Sequence, residues 1–314
     1  MRPILPGRRP NHAGRVLVSG LFAGLTLLFS SVVFASATNN TPRVAAIDWG
    51  QAQTLIAIGA PPVAMAQIGN YSAWVGGPAV PSDVRNLGLR AQPNMELLSQ
   101  LDLDAITITP LYAGLQKRLA KIAPVKSIGI YNHNGSAWKN TVESTRKLGA
   151  LVHRKAAAQR LIESTRATIR KRANRVPAHT QPLLVIQFID ARHVRVYGPS
   201  SLIGNVMQRM GVANAWHRDV NSWGFAQVPL KDLATMHDAR VAIVRPIPVA
   251  VPSKVANSVL WQHLPAVRDR SVLALPSVWS YGGLPSATRF ARGLADAYAR
   301  LKAGKSRNAL DTQR

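Results

Sequence analysis

Residues 70–90 read N-Y-S-A-W-V-G-G-P-A-V-P-S-D-V-R-N-L-G-L-R. Tyr71 and Trp74 stand beside a Gly-Gly-Pro break, and the segment ends on Arg90. Aromatic faces and a guanidinium on irregular backbone make recognition chemistry, because loops carry contacts that rigid elements position. Indole rings give rigid contact area, and Arg offers a planar fork of donors that keeps its charge. Further aromatics in loop contexts can face this stretch: Tyr112 after Pro-Leu, Trp223 in N-S-W-G-F, and Trp279 with Tyr281 in V-W-S-Y-G-G. Trp49, Trp138, Trp216 and Trp261 are expected in the cores.

Other chemistries are poorly served. Cysteine is absent, which removes disulfides, thiolate nucleophiles, Cys-ligated zinc and iron–sulfur clusters. The eight His are scattered, with no H-x-x-x-H pair, so no metal site is expected. Neither G-x-S-x-G nor a Gly-rich phosphate loop occurs, and fourteen acids in 314 residues leave little for carboxylate catalysis. No catalytic residue is assigned and no enzyme is expected.

The N-terminus reads as a targeting segment. Arg2, Arg8, Arg9 and Arg15 precede an apolar run over 16–34, and Ala35-Ser36-Ala37 provides a small-residue cleavage site. A periplasmic product cleaved near Ala37 is expected, with an uncleaved anchor as the alternative; Arg8-Arg9 is a weak twin-arginine signal. The formal net charge is +25, and the four arginines before residue 38 leave +21 on the mature chain. Such a balance suits polyanions, but an exported protein meets little nucleic acid. Eleven Lys or Arg fall within 139–175, against Glu143 and Glu163; a solvated helix face accounts for that cluster.

These residues need two positioning bodies. Strand patterns at 43–48, 62–67, 105–109 and 125–130 alternate with helical stretches at 51–58, 94–99 and after Tyr112, which indicates a mostly parallel α/β lobe. From 137 to 172 proline is absent and only Gly149 interrupts an apolar repeat of helical spacing, predicting one helix of about 50 Å. Strands at 183–189, 194–197, 241–244 and 272–275, a helix capped by Ser200 and a closing helix over 285–301 form a second α/β lobe. The expected organisation is a signal peptide (1–37), an N-terminal lobe (38–136), a connecting helix (137–175), a C-terminal lobe (176–303) and a polar tail (304–314). Two α/β lobes bridged by one long backbone helix enclose a cleft.

An ordered set of segments carries a resemblance: R-V-A-A-I-D-W (43–49), N-Y-S-A-W-V (70–75), N-L-G-L-R-A-Q-P-N-M-E-L-L (86–98), A-N-A-W (213–216), N-S-W-G (221–224) and V-W-S-Y-G (278–282). The mature chain resembles the periplasmic ferric-hydroxamate-siderophore-binding proteins, in the iron–siderophore branch of the helical-backbone, class III solute-binding family. The resemblance implies a shallow aromatic cleft holding an Fe(III)-siderophore complex, without a covalent cofactor, for an ATP-driven (ABC) importer permease in the inner membrane. It implies that Arg90 and Tyr112 contact the hydroxamate oxygens, that Trp74, Trp223, Trp279 and Tyr281 line the cleft, and that Ser222 is a further contact. No nucleic acid partner is implied, and a monomer is expected.

Two departures stand out. Relatives often carry an aromatic four residues before the Tyr matching Tyr112, where this chain has Ile108. Relatives also dock the permease through one acid on each lobe. Asp232 fits on the second lobe, but Lys117 occupies the first-lobe position, so docking would fall to Glu96 or to a complementary acidic permease. Cobalamin, haem or a catecholate complex are alternative ligands, the single obvious Arg in the cleft arguing against a triply charged catecholate. A basic exported protein that binds polyanions is the alternative from another class.

Overall fold

The computed structural model describes residues 41–131, 136–304 and 309–310. The signal peptide and part of the C-terminal tail lie outside the described residues.

The first lobe is built on β1 (Val44–Ala46), β2 (Ala64–Met65), β3 (Arg85–Asn86), β4 (Ala105–Ile108) and β5 (Val125–Ser127), ordered β3-β2-β1-β4-β5. Every pairing is parallel. A parallel sheet is buried on both faces, and β1 divides its residues accordingly. Val44 and Ala46 enter one apolar cluster, while Ala45 and Ile47 enter another on the opposite side, the two-residue period of an extended chain. Around the sheet lie α1 (Trp49–Ala57), α2 (Ile68–Val75), α3 (Met95–Ser99) and α4 (Gln116–Leu119). Asp48 caps α1 by accepting from Gly50 N at 2.7 Å, and Asn94 caps α3 through Leu97 N at 2.9 Å.

Two helices follow, α5 (Ala137–Leu151) and α6 (Lys155–Ala173). This corrects the single helix expected over 137–172. Helix α5 starts in the second-lobe core with Trp138 and Val142 and ends in the first-lobe core with Leu148 and Val152. Helix α6 makes the return crossing, from Ala158 to Ile162 and Ile169. The reversal is local in origin: His153 adopts φ 55°, Arg154 N bonds Gly149 O at 2.7 Å, and Gly149 has no side chain to hold Ala158 away.

The second lobe comprises β6 (Leu183–Phe188), β7 (His193–Tyr197), β8 (Phe225–Pro229), β9 (Arg240–Arg245) and β10 (Val272–Ser277), ordered β10-β9-β6-β7-β8. Strands β10, β9 and β6 are parallel, whereas β7 and β8 join as antiparallel neighbours. Helix α7 (Leu202–Arg209), the short α8 (Val251–Ala256), α9 (Val259–Gln262) and α10 (Pro265–Arg268), and the closing α11 (Leu284–Lys302) surround them. The cap of α7 is Ser201, which accepts from Gly204 N at 2.9 Å, one residue beyond the Ser200 expected. Ala309 and Leu310 are buried in this lobe's outer cluster.

The loop between β10 and α11 crosses back. Trp279 is buried in the first-lobe cluster, and Ser286 Oγ bonds Gln53 Oε1 at 3.0 Å. A Cβ on Gly50 would meet Tyr281 O at 2.5 Å, so α1 admits the loop only because residue 50 lacks a side chain.

Candidate functional site

A cavity of about 480 Å³ lies between the lobes. The first lobe contributes Trp49, Gln67, Asn70, Trp74 and Arg90, the second Gln187, Phe188, Ile189, Arg195 and Pro248, and the crossing loop Trp279 and Tyr281. The rings interlock at steep angles, edge to face for Trp279 against Trp49 and Trp74 and tilted against Tyr281. Trp49 and Trp279 are 4.9 Å apart between centroids, Trp279 and Tyr281 5.2 Å, and Trp74 meets Trp279 at 6.4 Å. Such spacings suit aromatic quadrupoles and give a stiff wall.

Arg90 is held inside this wall. Its guanidinium carbon stands 3.9 Å from the Trp49 ring centroid and 5.0 Å from that of Trp279, within cation–π range of both. Its Nε donates to Gln67 Oε1 at 3.0 Å. Gln67 is placed by an unusual backbone: at the junction of β2 and α2 it has φ 58° and donates its N–H to Gly88 O at 2.6 Å. Trp49 is fixed in turn by its indole N–H on Ala66 O at 3.0 Å. Nε is taken by Gln67 and the two indoles, 4.9 Å apart between centroids, lie to one side of the guanidinium, which leaves the terminal nitrogens for a ligand.

The electrostatics follow from burial. Asp48 is 3% exposed, and burial raises its pKa to about 6, against opposing hydrogen bonds from the α1 backbone and the nearby Arg90 charge. Tyr112 is pushed up to about 12, by burial and then by Asp48, with Arg90 opposing. Burial also raises Tyr281, while Arg195 and Arg90 pull it down. Both phenols therefore remain donors at neutral pH.

Several expected site residues converge. Trp74, Arg90, Trp279 and Tyr281 line one cavity. Trp74 sits on helix α2 rather than in a loop. Tyr112 is mostly buried, on the 3-10 turn after β4, close enough to Arg90, Asp48 and Tyr281 to sense their charges. Trp223 contacts Tyr281 at 5.4 Å between centroids but borders a separate hollow of about 20 Å³ beneath it. Ser222 is exposed and lines neither space. Ile108 is fully buried beside Tyr112 in the first-lobe core, so it borders the cleft only through its neighbour. Tyr71 is buried, edge-on to Trp49 at 6.1 Å. Glu96 is exposed on α3, Lys117 on α4, and Asp232 opens a short 3-10 turn on the second lobe.

The residues that sequence reasoning missed act through partners. Gln67 orients Arg90, and Tyr131 donates to Ser280 O at 2.9 Å while accepting from Leu202 N at 3.1 Å. Arg195 corrects the expectation of a single cleft arginine. A charged residue inside the apolar strand H-V-R-V-Y was the available signal for it. Among the described residues no group of His, Cys, Asp and Glu could hold a metal ion, and no helix is long and apolar enough to cross a membrane.

Comparison with known proteins places this geometry among relatives. Residues 44–278 match the model of a periplasmic binding protein family. The chain is 32% identical over 260 residues to the iron(3+)-hydroxamate-binding protein FhuD of Escherichia coli K12, spanning 81% of this chain and 86% of that one. The crystal structure of the Fe3+–Desferal-bound siderophore-binding protein FhuD from Vibrio cholerae matches with a TM-score of 0.78 at 26% identity, covering 82% and 98% of the two chains. The triscatecholate siderophore-binding protein FeuA of Bacillus subtilis matches at 0.68 and 13% identity, covering 83% and 93%, a likeness of fold alone.

Proposed function

This chain belongs to the periplasmic binding protein family, and from that premise we propose that it captures Fe(III)-hydroxamate siderophores in the inter-lobe cleft and delivers them to an ABC importer of the inner membrane. It is a binding protein and not an enzyme, and the iron complex is its cargo. Exported and cleaved near Ala37, it works in the periplasm as a monomer.

The observation that carries this reading is Arg90, packed against Trp49 and Trp279 with Nε held by Gln67. A ferric tris-hydroxamate has its iron charge neutralised by its own oxygens, so the protein need not ligate the metal. What it presents is a face of partly negative oxygens on a bulky, partly apolar shell. A pre-oriented guanidinium binds such oxygens with little ordering cost. The hydroxyls of Tyr112 and Tyr281 add donors, and Trp74, Trp279 and Tyr281 supply contact area. Trp223 and Ser222 come into play at the margin, if the ligand extends past Tyr281. At the importer, Asp232 meets the permease from the second lobe. Exposed Glu96 is the acidic substitute on the first lobe, where Lys117 otherwise calls for a complementary acid on the permease.

Titration with ferrichrome and ferrioxamine B, followed by tryptophan quenching, tests the reading. Saturable quenching at micromolar ligand is expected, since Trp49, Trp74 and Trp279 line the cavity. Absence of quenching by every ferric hydroxamate would overturn it.

A further inference from the structure

The cleft carries a charge that a neutral chelate does not use. Arg195 projects from β7 into the same cavity as Arg90, from the opposite lobe. Its guanidinium lies 4.4 Å from the Phe225 ring centroid. Its Nε is buried and finds no acceptor among the described residues. Its nearest polar neighbour is Gln187 Oε1, at 3.4 Å from Nη1, and that oxygen already accepts from Tyr197 OH at 2.9 Å. No carboxylate lines the cavity among the described residues, and the ion pairs formed elsewhere by Asp190, Glu143 and Asp296 leave Arg195 out. Arg90 has Asp48 within electrostatic reach; among the described residues Arg195 forms no ion pair.

A ligand filling the cleft strips water from both guanidiniums. A charge desolvated without a partner is costly, so a wholly neutral ligand satisfies Arg90 and leaves Arg195 at a loss. A carboxylate on the ligand would meet Arg195 in a charge-assisted, bidentate pair. A triscatecholate brings more negative charge than the two guanidiniums offset, before Asp48 is set against it. We infer that Arg195 is a second ligand-reading cation, and that the cleft selects ferric hydroxamates bearing a free carboxylate. This rests on the siderophore-binding reading and narrows its substrate class. Arg90 reads the hydroxamate face common to many chelates, and Arg195 reads the arm that differs between them.

A matched pair of probes separates the two: ferrioxamine B, whose free arm ends in a protonated amine, and its N-succinyl derivative, which ends in a carboxylate on the same iron core. The wild-type protein should bind the succinylated chelate about tenfold or more tightly than the amine. Arg195→Gln should weaken the carboxylate ligand and strengthen the amine, closing the gap from both sides, an opposed pair of changes that general loosening cannot produce. Arg195→Lys should restore part of the preference. Equal wild-type affinities would overturn the inference whatever the variants do, as would a preference that survives Arg195→Gln. Failure of both chelates to bind would instead bring down the siderophore reading itself.

Discussion

Arg90 lines the cleft and Asp48 is buried within electrostatic reach of it, and each makes a distinct prediction. Arg90→Ala removes a charge-assisted contact worth on the order of 1.5–3 kcal/mol, so ferric-hydroxamate affinity should fall by about ten- to a hundredfold. It also removes a cation seated on two indoles, which should lower stability by about 0.5–1 kcal/mol. Titration and thermal melting together read both effects, and an unchanged affinity would remove Arg90 from the site. For Asp48 the sign runs the other way from a salt-bridged acid. Its folded-state value of about 6 lies above the ordinary 3.8, so the fold favours the protonated form and ionisation costs stability as pH rises from about 4 to 6. Asp48→Asn keeps an acceptor for the cap on Gly50 and deletes that cost. It should melt like the wild type near pH 3.5 and be more stable by on the order of 1–3 kcal/mol at pH 8; melting curves across pH decide. At this scale the sequence made Arg90 legible, because an Arg beside aromatics and glycines stands out. Gln67 and Arg195 were hidden, since a Gln on irregular backbone and an Arg in a strand acquire meaning only from residues distant in the chain.

Helices α5 and α6 explain why a strong period can mislead about an element. Both lay an apolar stripe on the same two cores, so the repeat runs unbroken through the point where the chain turns back. Periodicity reports which face is buried, not whether the axis continues. Gly149 was the visible trace. In an exposed helix Gly→Ala gains about 1 kcal/mol, but here the new Cβ would press on that of Ala158, and overpacking costs about 1–3 kcal/mol. The second effect wins, so Gly149→Ala should destabilise the protein by about 1–2 kcal/mol in urea unfolding; a stabilised variant would mean that the two helices do not touch there. The Gly-Gly-Pro break misled in the same manner. It marks the end of α2, where Gly76 takes the left-handed cap conformation (φ 73°), the usual place for glycine. Trp74 is consequently aimed by a helix and not by a loop.

At the scale of the molecule, the lobes are tied by more than their connecting helices. Tyr131 bonds backbone at Ser280 and Leu202, Ser286 reaches Gln53, and Trp279 is packed beside Trp49. Large hinge motion would have to break these together. Saturation with a ferric hydroxamate should therefore change the radius of gyration in X-ray scattering by less than about 1 Å, and a larger contraction would mean that the crossing loop slides on α1. The two α/β lobes and their sheet-forming strands were readable from alternating patterns. The short strands β3 and β8 and the helices α8 to α10 were not, because each is fixed by its neighbours more than by its own few residues.

The crossing loop also sets an order of assembly. Trp279 comes late in the chain, yet it sits in the core of the lobe whose strands end at Ser127. Synthesis delivers the N-terminus first, so the first lobe cannot close its interior until residues from the far end of the chain arrive. A chain cut before the crossing loop therefore leaves its earliest strands without the wall that Trp279 supplies.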